Sequence, residues 1–132
     1  MIQPSLHQSI ELFVIINLLV VGLSHFIRPQ IWVDFFKLLA SKGQAGNVFN
    51  ALLSLGLGSF IFSFHMVWDG PMIIVTIYGL LLTIKGFLYL TVPDLGLKSI
   101  AKVDDSYNKF KIVGLLMSSV ALYLMWVLIS NF

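Results

Sequence analysis

Apolar residues fall into four blocks along the chain, separated by polar segments. The blocks run from about residue 9 to 28, 48 to 68, 71 to 92 and 110 to 129. Each holds about 20 residues, the length of helix that crosses a hydrocarbon core of roughly 30 Å. Because backbone groups in lipid must be hydrogen-bonded internally, each block is expected to be a helix. The pattern predicts an all-α, integral membrane four-helix bundle that forms a single transmembrane domain over residues 1–132.

The connections between the blocks differ in length. Only Asp69-Gly70 separates the second block from the third, so these two helices are predicted to be antiparallel neighbours. After Pro29, the apolar side chains between residues 31 and 39 share one helical face, which is typical of an amphipathic helix lying on the membrane surface. The segment after Pro93 repeats this pattern more weakly.

The two halves of the chain resemble each other. A shift of 64 residues, the separation of Pro29 and Pro93, also superposes Leu18 on Leu82, Gly22 on Gly86, Asn50 on Gly114 and Ser54 on Ser118. This correspondence predicts two repeated helical hairpins, each a helix, a proline, a surface helix and a returning helix. The alternative is that apolar helices ending at proline resemble one another through composition alone.

Composition and charge add the expected location and orientation. Hydrophobic residues make up 58% of the 132 positions and charged residues 11%, far from the usage of soluble domains. Basic residues flank the two longer connectors: Arg28, Lys37, Lys42, Lys98, Lys102, Lys109 and Lys111. The opposite side has none, so the positive-inside rule predicts cytoplasmic connectors and external termini, in a bacterial inner membrane. The absence of cysteine excludes disulfides and thiolate catalysis in this chain.

Lys85 is a basic residue inside an apolar block, where an uncompensated cation is expensive. The carboxylate of Glu11 also lies in a block, but about ten residues, or roughly 15 Å, from the level of Lys85. Four alternatives follow. Lys85 extends to the inner headgroups, is neutral, binds an anionic ligand or lipid, or meets an acid on another subunit.

Several polar side chains on the first and third blocks lie near the depth of Lys85. We expect a ligand-binding pocket open to the inner leaflet, provided that these two helices face each other, formed by Asn17, His25, Tyr78, Lys85 and Tyr89. Ordinary hydrogen bonding between helices is the alternative for Asn17. No cofactor is evident in the sequence, and a quinone or a lipid is the ligand that would suit this pocket.

Two histidine–carboxylate pairs lie at the opposite end of the blocks. His7 and Glu11 are four residues apart on one helix, and His65 and Asp69 repeat this spacing at the end of the next. Two imidazoles and two carboxylates at similar depth could ligate zinc or another divalent metal. The alternative is that polar residues collect at the ends of spans for solvation alone.

The run Gly22-Leu23-Ser24-His25-Phe26-Ile27-Arg28-Pro29, an aromatic surface helix and the later Leu55-Gly56-Leu57-Gly58 resemble the DoxX-like membrane proteins. The likeness covers mainly residues 12 to 62. It implies a small four-helix protein from a group that includes membrane partners of oxidoreductases, some of them linked to quinone or sulfur metabolism. Asn50 and Ser54 stand where such proteins often carry an acidic residue, so no catalytic residue is carried over.

Three functions fit these features. The first is a non-catalytic subunit or accessory protein of a larger membrane complex, whose partners would be the lipid bilayer and other membrane subunits or further copies of this chain, not nucleic acid. The alternative is a binder or carrier of a small amphipathic or anionic molecule at Lys85. The third, an enzyme or quinone-site redox component that uses His25, Lys85 or Tyr89, is the least favoured.

Overall fold

The computed structural model describes residues 3–105 and 107–132, which form a bundle of α-helices. The helices of this part of the chain are α1 Leu6–Ile27, α2 Pro29–Ser41, α3 Gln44–Phe64, α4 Ile73–Thr91, α5 Pro93–Ala101 and α6 Tyr107–Ser130. Helices α1, α3, α4 and α6 are long and apolar enough to cross a membrane. The four-helix membrane bundle and the short helices after Pro29 and Pro93 are thereby confirmed.

Local capping explains where α1 begins and ends. The Ser5 hydroxyl accepts a hydrogen bond from the Gln8 amide at 3.1 Å, and the Gln8 side chain accepts one from the Ser5 amide at 2.9 Å. This capping box satisfies two amides that the first turn leaves free, and α1 begins earlier than residue 9 as a result. At the other end Arg28 leaves the helical conformation and Pro29 opens α2, which suits a residue without an N–H.

The helix of the second span ends earlier in the sequence than predicted. Helix α3 stops at Phe64, so the prediction that it continues to residue 68 is wrong. The Thr76 hydroxyl of α4 lies 2.7 Å from the Val67 carbonyl oxygen and 3.2 Å from the Val67 amide nitrogen. Because these groups bond to Thr76, the backbone need not continue the helix. Gly70, at a φ of 75°, then turns the chain into α4.

Two closely packed helix pairs form the bundle. Helix α3 packs along α4, as the short turn between them predicts, and α1 packs along α6. Gly22 permits the second contact, since a Cβ there would lie 2.8 Å from the Ser118 Oγ atom. The two spans of each predicted hairpin are therefore not each other's main neighbours. Helices α2 and α5 contact each other and lie across one end of both pairs.

The main cluster of buried apolar side chains lies in one half of the bundle. We call the end where α1 begins and α6 ends the terminal end, and the end where α2 and α5 lie the basic end. The buried core lies in the terminal half: Ile10, Val14, Ile15, Leu18, Ile61, Met72, Val75, Ala121, Leu124, Val127 and Leu128. Buried residues of the basic half are mostly small or polar: Gly22, His25, Asn47, Asn50, Ser54, Gly86, Gly114 and Ser118. These side chains leave space between the helix pairs at the basic end.

Candidate functional site

A cavity of about 200 Å³ lies at the basic end, between the helix pairs. Its walls come from α2, α3, α4, α5, α6 and the segment after α5: Phe36, Asn50, Lys85, Tyr89, Ser99, Ile100, Val103 and Phe110. We call it the Lys85 cavity. Its lining combines one basic side chain, polar side chains that can donate or accept hydrogen bonds, and an apolar wall that includes two phenylalanines.

Among the residues that the structure describes, the ammonium group of Lys85 has no anionic partner. Within the described residues Lys85 forms no hydrogen bond and no ion pair. Its Nζ atom lies 5.6 Å from the centroid of the Tyr89 ring, a cation–π contact. Such a contact contributes about 0.5 to 2 kcal/mol, which is less than an ammonium group gains from a carboxylate or phosphate in a site of low polarity. A protonated Lys85 would therefore give the cavity a positive charge that an anion would neutralise.

Tyr89 is held in place from α3. The Asn47 side chain is buried and donates from Nδ2 to the Tyr89 carbonyl oxygen at 3.0 Å. This bond joins α3 and α4 one turn from Lys85. The Asn47 Oδ1 atom is buried without a hydrogen-bond partner in the described residues and lies against Gly96 of α5. Only glycine fits at that position of α5, because a Cβ would overlap Oδ1.

A second cavity, of about 390 Å³, adjoins the first and shares Phe36, Val103 and Phe110 with it. We call it the His25 cavity, and its remaining walls are His25, Lys102, Asp104, Lys109 and Val113. The His25 Nδ1 atom lies 2.8 Å from the Val21 carbonyl oxygen, which can only accept, so Nδ1 carries a proton. The His25 ring stacks on Trp32 at a centroid distance of 4.3 Å, which fixes its plane.

An exposed ion pair connects two of the segments that line both cavities. Lys37 of α2 bonds to Asp105, in the segment that precedes α6. The hydrogen bond to Asp105 raises the pKa of Lys37 above its ordinary value. Because both side chains are exposed to solvent or headgroups, the pair positions α2 more than it stabilises the fold.

The five-residue pocket expected from the sequence is only partly assembled. Lys85 and Tyr89 line one cavity, and His25 lines its neighbour. Asn17 and Tyr78 lie elsewhere, because α1 packs along α6 instead of facing α4. The Asn17 amide donates to the Phe13 carbonyl oxygen of its own helix at 2.8 Å, and Tyr78 lines a separate groove.

Sequence reasoning missed several residues of the site. Asn50 stands out in the sequence only through the repeat and the family resemblance, although it lies on α3 and lines the Lys85 cavity. Phe36 and Phe110 carried no signal beyond their place in apolar runs. Their position in both cavities depends on how α2 folds back under the bundle. No periodicity in the sequence reports that fold-back, because it is set by contacts between distant segments.

At the terminal end, the expected metal site is not formed. Among the described residues no three His, Asp or Glu side chains lie together where they could hold a metal ion. The buried His65 ring instead bonds through Nε2 to the Glu11 Oε2 atom at 2.7 Å and through Nδ1 to the Thr76 hydroxyl at 2.8 Å. Both of its nitrogens are thus engaged. His7 contacts only the ring edge, with centroids 5.5 Å apart.

The Thr76 hydroxyl determines the proton on His65. Its oxygen lies 2.7 Å from the Val67 carbonyl oxygen and 2.9 Å from the His65 carbonyl oxygen, and these atoms only accept. The single hydroxyl hydrogen must point to one of them, so His65 Nδ1 must donate to the hydroxyl. One further proton lies between His65 Nε2 and Glu11. The pair is neutral as a whole, and we call these three side chains, Glu11, His65 and Thr76, the terminal clasp.

Comparison of the chain with protein-family models, with curated proteins and with solved structures finds no match.

Proposed function

We propose that this protein binds a small amphipathic or anionic molecule within the membrane, at the Lys85 cavity. The observation that carries the proposal is the ammonium group of Lys85, which faces a preformed cavity and has no anionic partner among the described residues. A cation at this depth is expensive when uncompensated. An anionic head would remove that cost, because it would bond to Lys85 where water is scarce.

The other walls of the cavity narrow the class of ligand. Asn50 and Ser99 offer hydrogen-bonding groups, whereas Phe36, Ile100 and Phe110 offer apolar surface. A ligand with anionic oxygens at one end and hydrocarbon at the other would satisfy both. A quinone is the second ligand class, since its carbonyl oxygens would accept from Lys85 without neutralising its charge.

A role as a subunit of a larger membrane complex is the second candidate function. It was favoured by the sequence because Lys85 needs a partner. A subunit role gains its support from the lipid-facing apolar surfaces, which every membrane bundle of this size presents.

We further propose that the basic end faces the cytoplasm. The basic residues of the two connectors all belong to this end, and Lys102 and Lys109 line the His25 cavity there. Basic pockets between membrane helices on the cytoplasmic side suit anionic head groups. The ligand would then come from the cytoplasm or the inner leaflet.

We also propose that the chain contains an internal repeat. Gly22 of α1 lies against Ser118 of α6, and Gly86 of α4 lies against Leu55 of α3. These contacts correspond within one residue under the shift of 64 that the sequence predicts. The same shift exchanges the pair of α1 and α6 with the pair of α4 and α3. The Lys85 and His25 cavities would then be related positions of two repeats.

Removing the charge of Lys85 tests the proposed function. The purified protein in a neutral detergent is titrated with butyl phosphate, and bound ligand is counted by native mass spectrometry. Hydrogen bonds to charged groups contribute about 1.5 to 3 kcal/mol, so Lys85→Met is expected to weaken binding at least about tenfold. Lys85→Arg retains the charge and is expected to retain binding.

Lys111→Met is the matched control, because it removes the same charge from an exposed residue outside both cavities. It is expected to bind like the unmodified chain. Equal binding by Lys85→Met and the unmodified chain would refute the proposal. A short-chain quinone in place of the phosphate separates the two ligand classes, since only the phosphate should lose affinity as salt rises.

A further inference from the structure

Two facing stripes of side chains line a seam between α4 and α6. On α4 they are Ile74, Tyr78, Lys85 and Tyr89, at helical spacings of four, seven and four residues. On α6 they are Phe110, Val113, Met117 and Val120, at spacings of three, four and three. Residues so spaced share one helical face. The stripes line the Lys85 and His25 cavities at one end of the seam and a separate groove at the other.

This groove has a volume of about 220 Å³ and an apolar lining of Leu18, Ile74, Tyr78, Leu116, Met117 and Val120. It exists because α4 packs along α3 and α6 packs along α1, which leaves α4 and α6 without comparable packing in the described residues. Leu116 is 62% exposed, so the groove opens to the lipid side of the bundle.

We infer that the ligand is a lipid-like anion whose head binds at Lys85 and whose hydrocarbon chain lies in the groove between α4 and α6. This inference rests on the proposed function and names the class of its ligand. Tyr78 and Lys85 are seven residues apart on one face of α4, or about 10 Å along the helix axis. A medium-length alkyl chain spans that distance.

Charge and polarity along the seam agree with this occupant. Lys85, which has no anionic partner among the described residues, lies in the basic half, and the apolar groove lies farther along the seam toward the terminal end. A chain in the groove remains in an environment as apolar as the bilayer, so it gains contact with side chains and no hydrophobic transfer energy. The head therefore supplies most of the affinity, and the groove determines which molecules fit.

Photolabelling tests where the hydrocarbon chain of the ligand lies. The probe is decyl phosphate with a diazirine at the end of its chain, added to the full protein in neutral detergent. Saturable label is defined as label that excess decyl phosphate removes. Its position is then read by peptide mass spectrometry. We expect saturable label on the peptides that contain Tyr78 and Leu116 to Met117.

A pair of adjacent substitutions provides the control. Leu116→Trp fills the groove, whereas Leu115→Trp adds the same bulk to an exposed residue of α6 that does not line the groove. Both positions are lipid-exposed, so both variants should fold. We expect Leu116→Trp to reduce saturable label at least about threefold, and we expect Leu115→Trp to leave it unchanged; threefold corresponds to roughly 0.6 kcal/mol. Binding of butyl phosphate, which is too short to reach the groove, should be unaffected by either.

The outcomes distinguish this inference from the proposed function. Label spread evenly over the exposed faces of α1, α3, α4 and α6, or equal label in the two tryptophan variants, would overturn the inference. If butyl phosphate binding still depends on Lys85 in that case, the proposed function survives. If Lys85→Met changes neither butyl phosphate binding nor labelling, the proposed function fails first.

Discussion

Removing His65 from the terminal clasp is the perturbation whose outcome follows most directly from the structure. His65 is fully buried, and Glu11 is only 6% exposed. His65→Ala leaves the Glu11 carboxylate buried without its partner. Breaking a buried charged pair by removing one member costs about 3 to 5 kcal/mol. The Thr76 hydroxyl also loses a donor, within the same network. We therefore expect the free energy of unfolding to fall by about 3 to 5 kcal/mol at neutral pH.

Glu11→Gln is expected to behave differently. The Thr76 hydroxyl requires a proton on His65 Nδ1, whichever side chain faces Nε2. A glutamine amide can therefore donate to Nε2 of a neutral His65, and no buried group loses its partner. We expect this change to cost less than about 1.5 kcal/mol, the net contribution of an ordinary hydrogen bond. In the double variant Glu11→Gln, His65→Ala, the loss should be smaller than for His65→Ala alone, because no charge remains buried.

The assay is unfolding by sodium dodecyl sulfate in mixed micelles, followed by far-UV circular dichroism. His7 also contacts the His65 ring. His7→Gln in the same background measures how much this contact contributes to the free energy of unfolding. Equal losses for Glu11→Gln and His65→Ala, or a loss below about 1 kcal/mol for the latter, would refute the proton assignment.

Three further predictions concern the rest of the fold. Thr76→Val should destabilise the bundle by about 1 to 3 kcal/mol in the same assay, because the Val67 amide and His65 lose their shared partner. Thr76→Ser keeps the hydroxyl and should retain most of the original stability. Gly22→Ala should cost about 1 to 3 kcal/mol by forcing α1 from α6, whereas Gly56→Ala, at an open position, should be neutral or stabilising; equal effects would contradict the packing. Asp105 raises the pKa of Lys37 above 10.5, so the bond holds below that pH and is lost as pH rises through the higher value. Hydrogen exchange in α2 should accordingly differ between Lys37→Met and the unmodified chain at neutral pH and not at strongly alkaline pH.

The candidate site was foreseen in part. Lys85 and Tyr89 were predicted as neighbours because they lie four residues apart on one helix, a relation that the helix itself ensures. Glu11 and His65 lie at equal depth, and this signal was present in the sequence. The sequence predicts half of a metal site from it, because depth alone does not show which side chains point toward each other. Their direct bond became visible only with the fold.

The sequence by itself determined the spans, the surface helices and the tight turn at Gly70. Each of these depends on a local pattern: about 20 apolar residues, a proline, or a glycine with positive φ. Tertiary structure alone decided that α1 pairs with α6, and hence where the cavities and the seam lie. The physical reason is the solvent. In lipid the outward face of a helix is as apolar as the packed face, so hydrophobic periodicity does not reveal which face meets a neighbour.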